Sequence, residues 1–535
     1  MNRGAYFILF LFILFSCQQN PSSDEISEAI PGLLTEADQD AVLKATYESN
    51  DYRPIWVQAG GLNSGGEDFL EGLEEIVSDG LAKEDYWREE QQALVEQVKV
   101  SKDPTLHARL DIALSQAFLR LASDLNRGKV DPSAMDIEWE MARKEPTVNY
   151  QELLLDLGGG ASFEKILAEL RPDHDLYSEL RNLYQSLTET PLEESVPIVS
   201  VDEKVEKDDQ HEAIPAIRKK LMILKDLEEM PDEGSQVYDQ QLFEAVKRFQ
   251  RRHGLIDDGV IGADFFEAIN YTYQDLLTKV QVNMERLRWM PDSLDNDRNK
   301  VIVNIPDFHL FYVQNGDTVL TSRVVVGQEY RQTPVFQAEM TYLAFSPTWT
   351  LPETILWEDA IPAIQKDRSY LANNNMKVLD HQGNEVNPRK INWGQLKGKE
   401  DFPYIIRQSP GSDNPLGKVK FMFPNEHSIY IHDSPAKYLF TQDDRTFSSG
   451  CIRMEKPQEF AAMLLEDADW DEEMLAEAMN QPEEKTVNLK ESQQVWLLYL
   501  TVWSKNGNIE VREDVYGMDK VLAEALSLPV SDHFL

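Results

Sequence analysis

The sequence predicts an α+β chain of several domains: a helical scaffold, a small three-helix module and a β-rich domain carrying a capping insertion. Three observations predict it. The 535 residues exceed the roughly 250 to 300 that one hydrophobic core serves. Apolar residues recur at helical spacing through the first half of the chain. Beyond about position 296 the period changes to two and hairpin signals appear. With 42% apolar residues, ordinary globular cores are within reach.

The chain opens MNRGAYFILFLFILFSCQQN, with Arg3 ahead of an apolar run from Ala5 to Phe15. The run is about half the roughly 20 residues that a membrane-spanning helix needs, so residues 1–17 read as a signal peptide. Leu14-Phe15-Ser16-Cys17 resembles a lipobox, in which cleavage leaves Cys17 as a lipidated N-terminus and the lipid as the membrane attachment. The alternative is an ordinary secretory signal with an incidental cysteine. Residues 18–35 are polar, with Pro21, Ser22, Ser23 and several acids, as expected of a tether.

A helical domain is expected over 36–187. Ala113, Leu114, Ala117, Phe118, Leu121, Ala122 and Leu125 fall three and four apart, one apolar face of a helix. The charge-rich, proline-containing stretch 188–210 reads as a linker. Over 211–272, two helical patterns, a turn at Asp258-Gly259 and a third short helix give a three-helix module. Its expected core is Val246, Phe249, Leu255, Ile261, Phe265 and Ile269. A connecting helix over 273–295 contains NMERLRWMP.

The β-rich domain is expected over 296–480. Val301, Val303 and Ile305 alternate with Ile302 and Asn304, and Asn315-Gly316 between two β-rich runs is a strong hairpin signal. SRVVVG, KFMF and SIYIHD supply further strands. A less regular insertion at about 346–400 suggests a lid over a site. Residues 481–535 read as a strand-rich extension around Asn506-Gly507.

The chain has two cysteines. If Cys17 carries lipid, Cys451 in FSSGCIR has no intramolecular partner, which leaves a small buried hydrophobe or a nucleophile. A nucleophilic cysteine needs a base or a positive field. Of nine histidines, His432 ends the strand SIYIHD, 19 positions earlier (451 − 432). Gly450 permits positive φ or close approach of a substrate, and the amides around Gly450 and Cys451 are candidates for an oxyanion hole. Arg453 is a candidate for a substrate carboxylate, or else pairs with a surface acid. Asp433 is a candidate for orienting His432, although an aspartate at a strand end also forms turns.

IYIHDSPAKYLFTQDDRTFSSGCIRMEKP resembles the active-site segment of the L,D-transpeptidases, whose pattern is a histidine, a spacer and then Ser-His-Gly-Cys. NPLGKVKFMFPN, Asn414 to Asn425, is similar to the segment that precedes it in multi-domain Gram-negative members. AVKRFQRRHGL..DGVIG resembles a small helical peptidoglycan-binding domain; a spacer that binds nothing is the alternative. The chain departs from the pattern where Ser448-Ser449-Gly450-Cys451 replaces Ser-His-Gly-Cys. Ser449 cannot act as an imidazole base, so the base falls to His432, with Ser448 and Ser449 as hydrogen-bond support.

The resemblance implies acyl transfer on peptidoglycan stems. Cys451 attacks the carbonyl of the third residue of a donor tetrapeptide, releases D-alanine and holds a thioester. An amine on a neighbouring stem then gives a 3-to-3 crosslink, in cell-wall biogenesis and the maintenance of cell shape. With water as acceptor the same enzyme is an L,D-carboxypeptidase, and an inactive wall-binding lipoprotein scaffold is a further alternative. The resemblance also implies acylation of Cys451 by carbapenems, an envelope or periplasmic location, and cell-wall synthesis proteins as partners. It calls for no cofactor.

Composition and motifs weigh against other classes. The net charge of −42, from 52 basic and 94 acidic residues, disfavours nucleic acid. No HExxH or paired CxxC accompanies the histidines, which weighs against a metal site.

Overall fold

The computed structural model describes residues 20–34, 41–141, 143–189, 204–228, 234–466, 470–505 and 508–528. The signal segment with Cys17, most of the expected linker and Asn506-Gly507 lie outside the described residues. Two compact units are present: residues 1–129 with 145–171 form the body of one, and residues 130–144 with 172–527 form the other.

The first unit is built on the helix Pro104–Arg127, started by the Asp103 side chain accepting from the Thr105 N–H and by Pro104 in the first turn. The predicted face is buried, with Leu114, Phe118, Leu121, Ala122 and Leu125 at its centre. Asp111 on the same helix accepts the Ile55, Trp56 and Val57 N–H groups and the Tyr47 hydroxyl, at 2.5–3.0 Å. One buried carboxylate thereby anchors an irregular segment whose amides have no ladder. The tether expectation fails for Ser23–Leu34. It is a helix packed on Pro104–Arg127, because Ile26 and Ile30, four apart, are fully buried there.

In the second unit, the helices Ile214–Ile223, Gln240–Arg252 and Ala263–Ile269 form the three-helix module. Val246, Phe249, Ile261, Phe265 and Ile269 are its core, joined by Ile214, Ile217, Leu221 and Tyr238. Leu255 is half-buried and lies outside that core. At the expected turn Gly259 has φ +75°, and a Cβ there would meet the Phe243 ring at 2.2 Å. Gln250 closes the turn by donating to Asp258 Oδ1 and accepting the Gly259 N–H.

The expected connecting helix, Tyr273–Trp289, is instead a core element of this unit. Lys279, Glu285, Arg286, Arg288 and Trp289 are all buried on it. The helix Asp175–Glu189, expected within the scaffold, also belongs to this unit, where Tyr177 Oη accepts from Arg288.

Eight strands close into a ring. In order they are Asp317–Gly327, Ile452–Met454, Ile431–His432, Val419–Met422, Phe336–Phe345, Lys485–Leu498, Lys300–Asn304 and His309–Gln314, and the last pairs back to the first. Thr446–Ser448 adds beside the end of Asp317–Gly327. The alternation is realised: Val301, Val303 and Ile305 are fully buried, and Phe460 from the helix Pro457–Leu464 packs on Tyr312 and Phe421. Asn315 and Gly316 sit at φ +54° and +93° between the paired residues Gln314 and Asp317, as a two-residue hairpin requires.

The boundary expected at 480 moves. Lys485–Leu498 lies between Phe336–Phe345 and Lys300–Asn304, so the expected extension supplies an interior strand of the β-rich domain's sheet. The insertion is also better ordered and longer than expected. It has a three-stranded sheet of Trp349–Thr350, Ile405–Gln408 and Met376–Leu379, with a core that includes Leu351, Ile361, Ile364, Trp393 and Ile406.

Candidate active site

Strand register brings the candidate residues together. Ile431–His432 and Ile452–Met454 run parallel, with Ile431 opposite Ile452 and His432 opposite Arg453, and the Ile452 N–H donates to the Tyr430 carbonyl. Side chains alternate across a strand. Ile431 and Ile452 therefore take the fully buried face, while Tyr430, His432, Cys451 and Arg453 share the other.

Cys451 is half-buried and reduced. Its Sγ donates to the Ser428 carbonyl at 3.7 Å, and Tyr430 is the neighbour that most favours the thiolate. Burial pushes the thiol up to about 11 against the opposing pull of Tyr430 and Arg453, so the resting group is a thiol. Trp349, from the insertion, acts on the Tyr430 hydroxyl and pulls its pKa down against burial. Sequence reasoning missed Tyr430 and Trp349. The alternation in SIYIHD places Tyr430 on the face of His432, and that was the available signal.

His432 is 4% exposed, and its Nδ1 lies 2.5 Å from the Asp433 backbone carbonyl. That contact is attractive only when Nδ1 carries the proton, which leaves the lone pair on Nε2. Burial first, and then the Arg453 charge, lower its pKa to about 3, so the ring is neutral. Among the described hydrogen bonds none joins His432 to Cys451. The two share a face, the one a neutral imidazole and the other a neutral thiol.

Asp433 orients His432 through its carbonyl. Its carboxylate is engaged elsewhere, accepting the Lys418 and Ser434 N–H groups at 2.9 and 2.7 Å and pairing with Lys437 at 2.8 Å. Arg453 has no acidic partner among the described ion pairs; it reaches only the Phe447 carbonyl, at 3.5 Å, and burial lowers its pKa. A desolvated guanidinium without a carboxylate suits an incoming one.

The loop that leads into Cys451 is tightly held. Gly450 has φ +105°, and its N–H donates to Ser448 Oγ at 3.1 Å. That amide is occupied, which removes it from the expected oxyanion hole. The Ser449 hydroxyl accepts from Arg331 at 3.0 Å. Among the described residues no group of three or more His, Cys, Asp or Glu is placed to hold a metal ion, and no helix is long and apolar enough to cross a membrane.

Residues 298–474 match the model of an L,D-transpeptidase catalytic domain, 41–183 that of a scaffold domain, and 210–269 that of a "Putative peptidoglycan binding domain". A Haemophilus influenzae protein described as "Putative L,D-transpeptidase" is 37% identical over 246 residues, 46% of this chain and 49% of the relative. The chain thus spans about half the length of that relative. Solved L,D-transpeptidases from Xylanimonas cellulosilytica and Stackebrandtia nassauensis align at 14% and 12% identity. They cover 56% and 57% of this chain and 99% of each of theirs, with TM-scores of 0.16 and 0.21. The three matches follow one another along the chain: a segment similar to a scaffold domain, one similar to a peptidoglycan-binding domain, and at 298–474 one similar to an L,D-transpeptidase catalytic domain, which contains both His432 and Cys451.

Proposed function

We propose that this protein is a cysteine-dependent L,D-transpeptidase that makes 3-to-3 crosslinks between peptidoglycan stems. The observation that carries the reading is the parallel register that puts Cys451, His432 and Arg453 on one face. A thiol held up to about 11 and an imidazole held down to about 3 do not rest as an ion pair. Proton transfer therefore accompanies attack, as general-base catalysis allows.

In the first step the Cys451 sulfur bonds to the carbonyl carbon of the donor's third residue and its proton passes to His432 Nε2. Collapse breaks the peptide bond, the same proton goes to the leaving nitrogen, and D-alanine departs from a thioester. In the second step the acceptor's side-chain amine attacks that thioester. Its proton passes through Nε2 to the departing sulfur, which restores the thiol. Water in place of the amine gives carboxypeptidation. Arg453 holds a stem carboxylate, and Tyr430 stabilises negative charge on the sulfur.

The module at 210–269 would hold the wall nearby. Attachment of lipid at Cys17, which would keep the enzyme at an envelope membrane, rests on the sequence alone. Metabolic labelling with a palmitate analogue, lost in Cys17→Ala, tests it. The activity is tested by muropeptide analysis of disaccharide tetrapeptides incubated with wild type, Cys451→Ala and His432→Ala. The expected result is 3-to-3 dimers and free D-alanine from wild type alone; neither product from a folded wild-type protein overturns the reading.

A further inference from the structure

Each of the three residues ahead of Cys451 is held by one short segment. The Gln328 N–H donates to the Ser448 carbonyl at 3.0 Å, Arg331 Nη1 to Ser449 Oγ at 3.0 Å, and Thr333 Oγ1 to the Gly450 carbonyl at 2.7 Å. The base of that segment is fixed. The Thr333 N–H donates to the Tyr516 hydroxyl, which donates to the Gly327 carbonyl at 2.7 Å, and a Cβ on Gly327 would meet the Arg331 carbonyl at 2.2 Å. Of the three contacts, only the one from Arg331 is made by a long side chain that also engages another element. Its Nη1 lies 3.1 Å from Asp359, and its Nη2 pairs with Glu358.

Both carboxylates stand on Leu356–Ala360, a π-helical turn of the capping insertion, an irregularity that often marks functional sites. The Arg331 side chain is 14% exposed, whereas Glu358 and Asp359 are 59% and 53% exposed. The guanidinium thus lies against the nucleophile loop, and the acids reach it from the solvent side. A planar fork held on two carboxylates is fixed in orientation, and in that orientation Nη1, which donates to Asp359, also donates to Ser449.

We propose that Arg331 is a positioning residue that makes the placement of Cys451 depend on the capping insertion, through Glu358 and Asp359 on one side and Ser449 on the other. The proposal rests on the reading of Cys451 as nucleophile. It gives Ser449 a use of its own: the hydroxyl is the acceptor through which the insertion reaches the nucleophile loop.

The test is a mutant cycle in the mature chain, using Arg331→Lys, Ser449→Ala, the pair Glu358→Gln with Asp359→Asn, and the pair combined with Ser449→Ala. The half-exposed acids are replaced isosterically, so the fold is expected to survive, and thermal melts check it. Two readouts are taken: kcat and KM for D-alanine release, and the pH midpoint of Cys451 alkylation by iodoacetamide.

Loss of one charge-assisted hydrogen bond is expected to lower kcat about tenfold with KM unchanged. The combined variant should be no worse than Ser449→Ala alone. The alkylation midpoint should fall toward that of an ordinary thiol as the loop loosens, so reactivity at neutral pH rises while turnover falls. Additive losses between the acid pair and Ser449→Ala, or an unchanged alkylation midpoint in Arg331→Lys, would overturn the proposal. If wild type releases no D-alanine, the activity reading fails, and the alkylation cycle still decides the coupling.

Discussion

Two charged clusters in the same compact unit are finished differently. Around Asp519, Lys279 and Arg286 both pair with the carboxylate, Thr501 donates to it at 2.7 Å, and Asn283 bonds Thr501 through both its amide groups. Burial alone would raise the Asp519 carboxyl; Arg286 and Lys279 outweigh it and hold the group below its usual range. Around Cys451, burial wins: the thiol is pushed up to about 11, His432 is lowered to about 3, and Arg453 meets no acid among the described ion pairs. Charges with internal partners hold the fold together, whereas groups left neutral or unpaired by burial keep their interactions for a ligand.

The strongest way to break that contrast is to exchange the consequences of mutation. Cys451→Ala should cut turnover by at least about a thousandfold and leave denaturant unfolding nearly unchanged. Asp519→Ala should do the reverse. Leaving Lys279 and Arg286 buried and unpaired should cost about 3 to 5 kcal/mol on urea titration, with kcat per folded molecule retained. A catalytic defect in the folded fraction of Asp519→Ala would erase the distinction.

The pH dependence sharpens it. A histidine whose folded pKa lies below its unfolded value binds fewer protons when native. His432 therefore costs stability as pH falls from about 6.5 toward about 3, and the folded state loses nothing from it above that window. His432→Gln should flatten that limb of a stability-versus-pH curve. The thiol works in the opposite direction: its folded pKa is raised, so stability declines as pH climbs above the ordinary thiol value toward about 11, and the rate of Cys451 alkylation rises over the same range.

The smallest effect is expected at Lys437. Its side chain is 52% exposed where it pairs with Asp433, so Lys437→Met should change stability by less than about 1 kcal/mol. A larger loss would mean that the Asp433 carboxylate needs the lysine to keep its carbonyl facing His432.

The sequence revealed what is local. The helical face of 113–125, the Asn315-Gly316 hairpin and the turn at Asp258-Gly259 could each be read from residue spacing and turn chemistry. What it hid depends on distant partners. Lys485–Leu498 reads as a strand anywhere, and only pairing with Lys300–Asn304, nearly 200 positions earlier, makes it an interior one. The helix Ser23–Leu34 looks like a polar tether because just two of its residues, Ile26 and Ile30, are buried. At the site, Arg331 and Trp349 lie about 120 and 100 positions before Cys451, in segments without a catalytic motif, and folding brings them to the Cys451 loop and to Tyr430.

The most direct test of the central claim is intact-protein mass spectrometry of the chain beginning after Cys17, mixed with a disaccharide tetrapeptide, beside Cys451→Ala and His432→Ala. The predicted result is a transient adduct equal to the donor minus D-alanine, absent from Cys451→Ala and much slower to form in His432→Ala. A folded wild-type protein that gains no mass, or a Cys451→Ala protein that gains the same adduct, would contradict the claim that this thiol carries the acyl group.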